Sequence, residues 1–166
     1  MVNFEWEKPP LKYCKMIEEA IHQTTPYLDT FIYKELHPET EEITGCVVDF
    51  VDAELKNKLK EKGIISALWS SRGTVRVDLE GNVTADIPIT QLGEKRYPIG
   101  VVGTVKATPK CRISELHLHD SIEPGIHVHI DCPKLDDYKE IATLINRANT
   151  ISRMIMHIRD KRQGKK

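Results

Sequence analysis

The first regular element shows in the spacing of its apolar residues. Leu11, Cys14, Met16, Ile17, Ala20 and Ile21 recur at helical spacing within residues 11–23, which predicts an amphipathic helix. Thr24-Thr25-Pro26 has the form of a cap followed by proline at the first helical position. The same spacing rule predicts a second helix, or a kinked continuation, from Pro26 to Leu36, burying Leu28, Phe31, Ile32 and Leu36. His37-Pro38 stops it, since the residue before a proline avoids helical backbone angles. Ile43, Thr44, Val47, Val48 and Val51 predict a strand over 42–51, because β-branched side chains suit a pleated surface. Asp52 is placed to cap a short helix bearing Leu55 and Leu59, with Gly63 terminating it.

Beyond Gly63 the pattern changes to short strand-like runs at 64–71, 74–79, 83–89, 98–107, 111–119 and 126–132, separated by turn residues. Alternation is clearest in Thr74-Val75-Arg76-Val77-Asp78-Leu79, which suits an antiparallel sheet covered on one side. Arg76, Asp78, Asp86 and Lys106 are assigned to a solvent-facing, salt-bridged surface. From Asp136 to Asp160, Tyr138, Ile141, Leu144, Ile145, Ala148, Ile151, Ile155 and Ile158 predict a long amphipathic helix. The fold class is α+β: N-terminal helices, then a mostly antiparallel sheet of about six to seven strands wrapped on a long C-terminal helix. This order resembles the helix-grip architecture, whose members carry apolar ligands, bind lipids or catalyse small-molecule chemistry. It departs from that order in having helices before the first strand and only one between the first two strands. The resemblance implies one reading of function, a carrier with an apolar cavity between the sheet and the last helix.

Composition narrows the classes. A chain of 166 residues suits a single domain, here with residues 1–10 as an extended N-terminal arm and 161–166 as a basic tail. Lys and Arg total 24 against 25 Asp and Glu, a net charge of −1, which argues against a chain-wide electrostatic grip on nucleic acid or anionic membrane. No apolar leader opens the sequence, and no run reaches the ~18 residues of a membrane span. Cys14, Cys46, Cys111 and Cys132 form no Cys-x-x-Cys pair, so neither a zinc knuckle nor a redox motif is encoded. Buried, reduced thiols and a cytoplasmic location, away from membranes, are the resulting expectations.

The histidines change the picture more than the charge does. Four of the 7 lie in Glu115-Leu116-His117-Leu118-His119-Asp120 and Ile126-His127-Val128-His129-Ile130-Asp131. Residues two apart in a strand share a face, so Glu115, His117 and His119 face one way, as do His127, His129 and Asp131. With Pro124-Gly125 in the connecting loop, an antiparallel hairpin pairs His119 with His127, His117 with His129 and Glu115 with Asp131. Opposed Cβ atoms lie about 4.5–5.5 Å apart. Imidazoles at that spacing can converge on a divalent transition metal (Zn, Fe, Mn or Ni). His117, His119, His127 and His129 are the candidate ligands, and Glu115 and Asp131 the candidate catalytic carboxylates. The His-x-His-x-x-x-Glu spacing from His117 and His119 to Glu123 is similar to the first metal motif of cupins. The glycine before that motif and the second motif are both missing, so no cupin role is assigned. Without a metal, the same histidines and carboxylates can perform acid–base chemistry on a small molecule, as a hydrolase would; with one, metal-dependent oxygenation is the other option.

A reading of another class uses the basic end of the chain. Arg153, Arg159, Lys161 and Arg162 can meet nucleic acid or another acidic surface, making the molecule a binding module that uses the sheet face and last helix. The sequence names neither a substrate nor an oligomeric state.

Overall fold

In the computed structural model, the residues described are 4–63, 71–90, 110–118 and 126–159, with the backbone alone for 4 and 115–118. The strand runs expected at 64–71 and 98–107 lie outside these residues, apart from Ser71. The elements are α1 (Leu11–Thr24), β1 (Asp29–Leu36), β2 (Ile43–Val51), α2 (Ala53–Glu61), β3 (Arg72–Asp78), β4 (Val83–Ile89), β5 (Arg112–Leu118), β6 (Ile126–Cys132) and α3 (Lys139–Ile155). The six strands form one sheet in the order β1-β2-β3-β4-β6-β5, antiparallel at every step. This is the α+β class expected, with a six-stranded sheet between N-terminal and C-terminal helices. Among the described residues, no helix is long and apolar enough to cross a membrane.

Helices α1 and α3 lie side by side on one face of the sheet, α1 over β1 to β3 and α3 over β4. Strand alternation supplies the other half of this core: Cys46, Val48, Phe50, Val75, Val77, Ala85, Ile87, Val128 and Ile130 all point to the helices. Ile17 and Ile21 of α1 and Ile141, Leu144, Ile145 and Ala148 of α3 are fully buried against them. Gly73 faces Phe50 across the β2–β3 pair, and the ring occupies the space a side chain would need. The β3–β4 turn is set by Asp78, whose Oδ1 accepts the N–H of Glu80 and of Asn82, each at 2.9 Å, with Gly81 at φ +84°. Burial opposes ionisation of Asp78, but these donors outweigh it and hold the carboxyl below its ordinary range.

Three expectations are corrected. Residues 29–36 form a strand, not the helix read from Pro26 to Leu36. Leu28, Phe31 and Ile32 fit a helical stripe, but β2 needs an antiparallel partner, and pairing along the whole of β1 decides the conformation. Ile32 then packs on the core, while Phe31 and Tyr33 turn outward. The N-terminal arm is not extended throughout: Phe4–Glu7 is a short 3-10 helix, and Glu5 is ion-paired to Lys34. The cysteines are not reduced: Cys14 is bonded to Cys46 and Cys111 to Cys132, which ties α1 to β2 and closes the open end of the β5–β6 hairpin. Spacing in sequence gave no sign of this, because each pair is brought together by topology. Disulfides persist in oxidising surroundings, so one of the two supports for a cytoplasmic location is lost.

At the other end of the core, Asp52 caps α2 as expected, accepting the Leu55 N–H at 3.1 Å. The same carboxylate receives Arg153 of α3 at 2.6 Å from Nε and 2.9 Å from Nη2. Nη1 of Arg153 donates to the Arg159 carbonyl at 2.9 Å, and the guanidinium lies 3.9 Å from the centre of the Tyr27 ring. Helix α3 stops at Ile155 rather than near Asp160, since His157 takes a left-handed conformation at φ 57° and the Ile158 N–H returns to the Arg153 carbonyl.

Candidate functional site

The face of the sheet turned away from the helices holds the candidate histidines and carboxylates. One register row crosses all six strands as Phe31, Asp49, Thr74, Asp86, His129 and Glu115. The next row reads Tyr33, Val47, Arg76, Thr84, Asp131 and Arg112. Strands lie about 4.8 Å apart, so the Asp49 and Asp86 backbones are roughly 10 Å apart with Thr74 between them.

The histidine hairpin forms, but in a different register from the one expected. His117 is opposite His127 and Glu115 opposite His129, a shift of two residues, and Arg112 is opposite Asp131, a shift of three. The third residue of shift at Asp131 comes from a bulge between Ile113 and Glu115, where Ser114 Oγ donates to the His129 carbonyl at 3.3 Å. Without that extra residue the register of Arg112 and Ile113 would place Glu115 opposite Val128, on the core side. The bulge therefore returns Glu115 and His117 to the outer row. His119 lies outside the described residues, and for Glu115 and His117 only the register position is given.

His127 meets a residue that the spacing of histidines did not reveal. His127 is 4% exposed, and its Nδ1 lies 3.0 Å from Oδ2 of Asp86 on β4. The alternation of Thr84, Ala85, Asp86 and Ile87 places Asp86 on the polar, salt-bridged face but does not name its partner. Its Oδ1 is buried with no hydrogen-bond partner among the described residues. Donation of Nδ1–H to the carboxylate fixes the tautomer that leaves a lone pair on Nε2. His129 Nε2 and Asp131 Oδ1 are 3.7 Å apart, an ion-pair distance rather than a hydrogen bond. Among the described residues no group of three His, Cys, Asp or Glu side chains is gathered to hold a metal ion.

A second charged group occupies the β1–β3 end of the same face. Asp49 is 6% exposed; it is ion-paired to Nη2 of Arg72 and accepts the Tyr33 hydroxyl at 3.2 Å. The Asp49 hydrogen bond raises the Arg72 pKa further above its already high value. Burial first, and then the Asp49 charge, push the Tyr33 phenol upward. Arg76 is paired with Glu35 at 2.9 Å, as the salt-bridged surface predicted, and Lys106 lies outside the described residues.

Of the four basic candidates, only Arg153 and Arg159 are among the described residues. Arg153, a candidate nucleic-acid contact, is 2% exposed and engaged by Asp52, so its guanidinium is not presented to a partner. Arg159 is exposed, and Lys161 and Arg162 lie outside the described residues. No protein-family model, no curated protein and no solved structure matches this chain.

Proposed function

We propose that the outer face of the sheet is a histidine–carboxylate acid–base site for a small molecule, with His127 as the proton-transfer group and Asp86 as its orienting partner. The observation that supports it is the 3.0 Å contact between a buried imidazole and a carboxylate whose second oxygen is buried without a partner among the described residues. A carboxylate at Nδ1 stabilises the imidazolium formed when Nε2 takes a proton, and it keeps the ring from rotating. Hydrolysis of a small ester or phosphodiester is the reaction class this favours, with His129, Asp131 and Glu115 as the neighbouring groups on the same rows. The test is turnover of chromogenic esters and phosphodiesters by the intact protein, its His127→Gln variant and its Asp86→Asn variant. Loss of about 10²–10⁴-fold in kcat/KM for His127→Gln, and a smaller loss for Asp86→Asn, is expected. Equal turnover by all three would overturn the assignment. Nitrogen-15 spectra of the imidazole supply a second readout, with the Nδ1–H tautomer dominant in the intact protein and mixed in Asp86→Asn.

The register favours one further reading of the same face. With His117 opposite His127 and Glu115 opposite His129, four ligand-type residues occupy adjacent positions on two strands. A Zn, Fe, Mn or Ni ion held there would supply a Lewis acid to the same substrate. Stoichiometric metal uptake that is lost in His129→Gln and restored by no other divalent ion would support it; less than one ion per chain at saturation would dismiss it.

A further inference from the structure

Where β1 begins and β2 ends, a pocket of about 310 Å³ opens beside α2, lined by Phe31, Phe50, Val51, Lys56 and Arg72, with Asp29 and Asp49. Its size is at the lower end of small-molecule sites. Arg72 does not hang loose here, because buried Asp49 holds Nη2, and Asp49 commits its other oxygen to the Tyr33 hydroxyl. The guanidinium is thereby pre-oriented while 43% of the side chain stays exposed. A planar fork held in place loses little freedom on meeting an oxyanion. Lys56 brings a second cation from α2, and Asp29 is turned to solvent. Phe31 is 62% exposed, an aromatic surface left in water that a flat ligand would cover.

We propose that this pocket binds a small oxyanion with a flat apolar body, an aryl carboxylate or aryl phosphate, with Arg72 and Lys56 on the anion and Phe31 and Val51 against the ring. The site stands on residues separate from Asp86 and His127 and does not depend on their chemistry.

Isothermal titration of the whole chain with benzoate and with phenyl phosphate tests it, with benzyl alcohol as the neutral analogue. One site per chain is expected, with at least one of the anions roughly tenfold or more tighter than the alcohol. Whichever anion binds better assigns the head group. Arg72→Gln should weaken the preferred anion by about tenfold, and Lys56→Gln and Phe31→Ala by severalfold each. Arg72→Gln leaves Asp49 without its cation and can disturb the sheet, whereas Lys56→Gln and Phe31→Ala leave that ion pair intact. His127→Gln should bind as the intact protein does. The proposal fails if no saturable binding is seen, if benzyl alcohol binds as tightly, or if Lys56→Gln and Phe31→Ala both keep full anion affinity. It also fails if His127→Gln abolishes binding, because the anion would then sit at the other site.

Discussion

Asp52 and Asp86 each hold a partner, one a guanidinium and the other an imidazole, and the two pairs are built to opposite specifications. Asp52 and Arg153 are 1% and 2% exposed and joined by two hydrogen bonds. Asp52 also caps α2, and Arg153 reaches a backbone carbonyl and an aromatic ring. Asp86 and His127 share one contact, and the Asp86 side chain is 39% exposed with one oxygen unpartnered among the described residues. A closed network of the first kind fixes how elements pack. The second kind leaves one carboxylate oxygen without a hydrogen-bond partner among the described residues.

The largest test of this contrast is Arg153→Leu. It strands Asp52 as a buried, unpaired charge and should lower unfolding stability by about 3–5 kcal/mol in urea. A loss under 1 kcal/mol on the scale of an exposed pair would make the two pairs alike. Next is the hairpin on which His127 stands. Replacing Cys111 and Cys132 together by alanine reopens a loop of 21-residue separation, which should cost about 3 kcal/mol and speed hydrogen exchange in β5 more than in β2. Asp86→Asn should change stability by about 1 kcal/mol or less while altering the His127 tautomer. A drop as large as that of Arg153→Leu would make this pair structural too. The smallest effect at neutral pH is a control outside both pairs. Burial, then the nearby Tyr13 and Asp136, push Tyr138 from 10.0 to about 12. An unfolded chain therefore releases this proton first, so stability declines as pH rises from 10 toward 12. Tyr138→Phe should flatten that decline in thermal melts and leave the profile near pH 7 unchanged.

The parts of the fold legible in the sequence are those where one local rule acts alone. The stripe of Leu11, Cys14, Ile17 and Ile21 is buried in α1, and Asp52 caps α2, as their spacing required. Met16, counted in that stripe, is 43% exposed. The Phe31–Leu36 segment misled because its apolar residues satisfy two periods over a short length, and strand pairing, a long-range term, chose between them. The outer face was partly legible: the alternation of His127, His129 and Asp131 gave the side but not the partner. A bulge at Ser114 offset the two ends of the pairing, and the carboxylate for His127 came from β4, 41 positions earlier in the chain. Neither leaves a mark in the spacing of the histidines themselves. Arg153 failed for a related reason, since a basic run in sequence does not say which of its members will meet a buried aspartate.

The bond between Cys111 and Cys132 makes the stretch between them a closed covalent ring. A protease that cuts once anywhere inside it, including beside the histidines, leaves two pieces that still travel as one chain. Such a nicked molecule would run at full mass on a non-reducing gel and separate only when a thiol is added. The Cys14–Cys46 bond gives β1 the same protection, whereas a cut between Cys46 and Cys111, as in the turn joining β3 to β4, would separate the two pieces without a thiol.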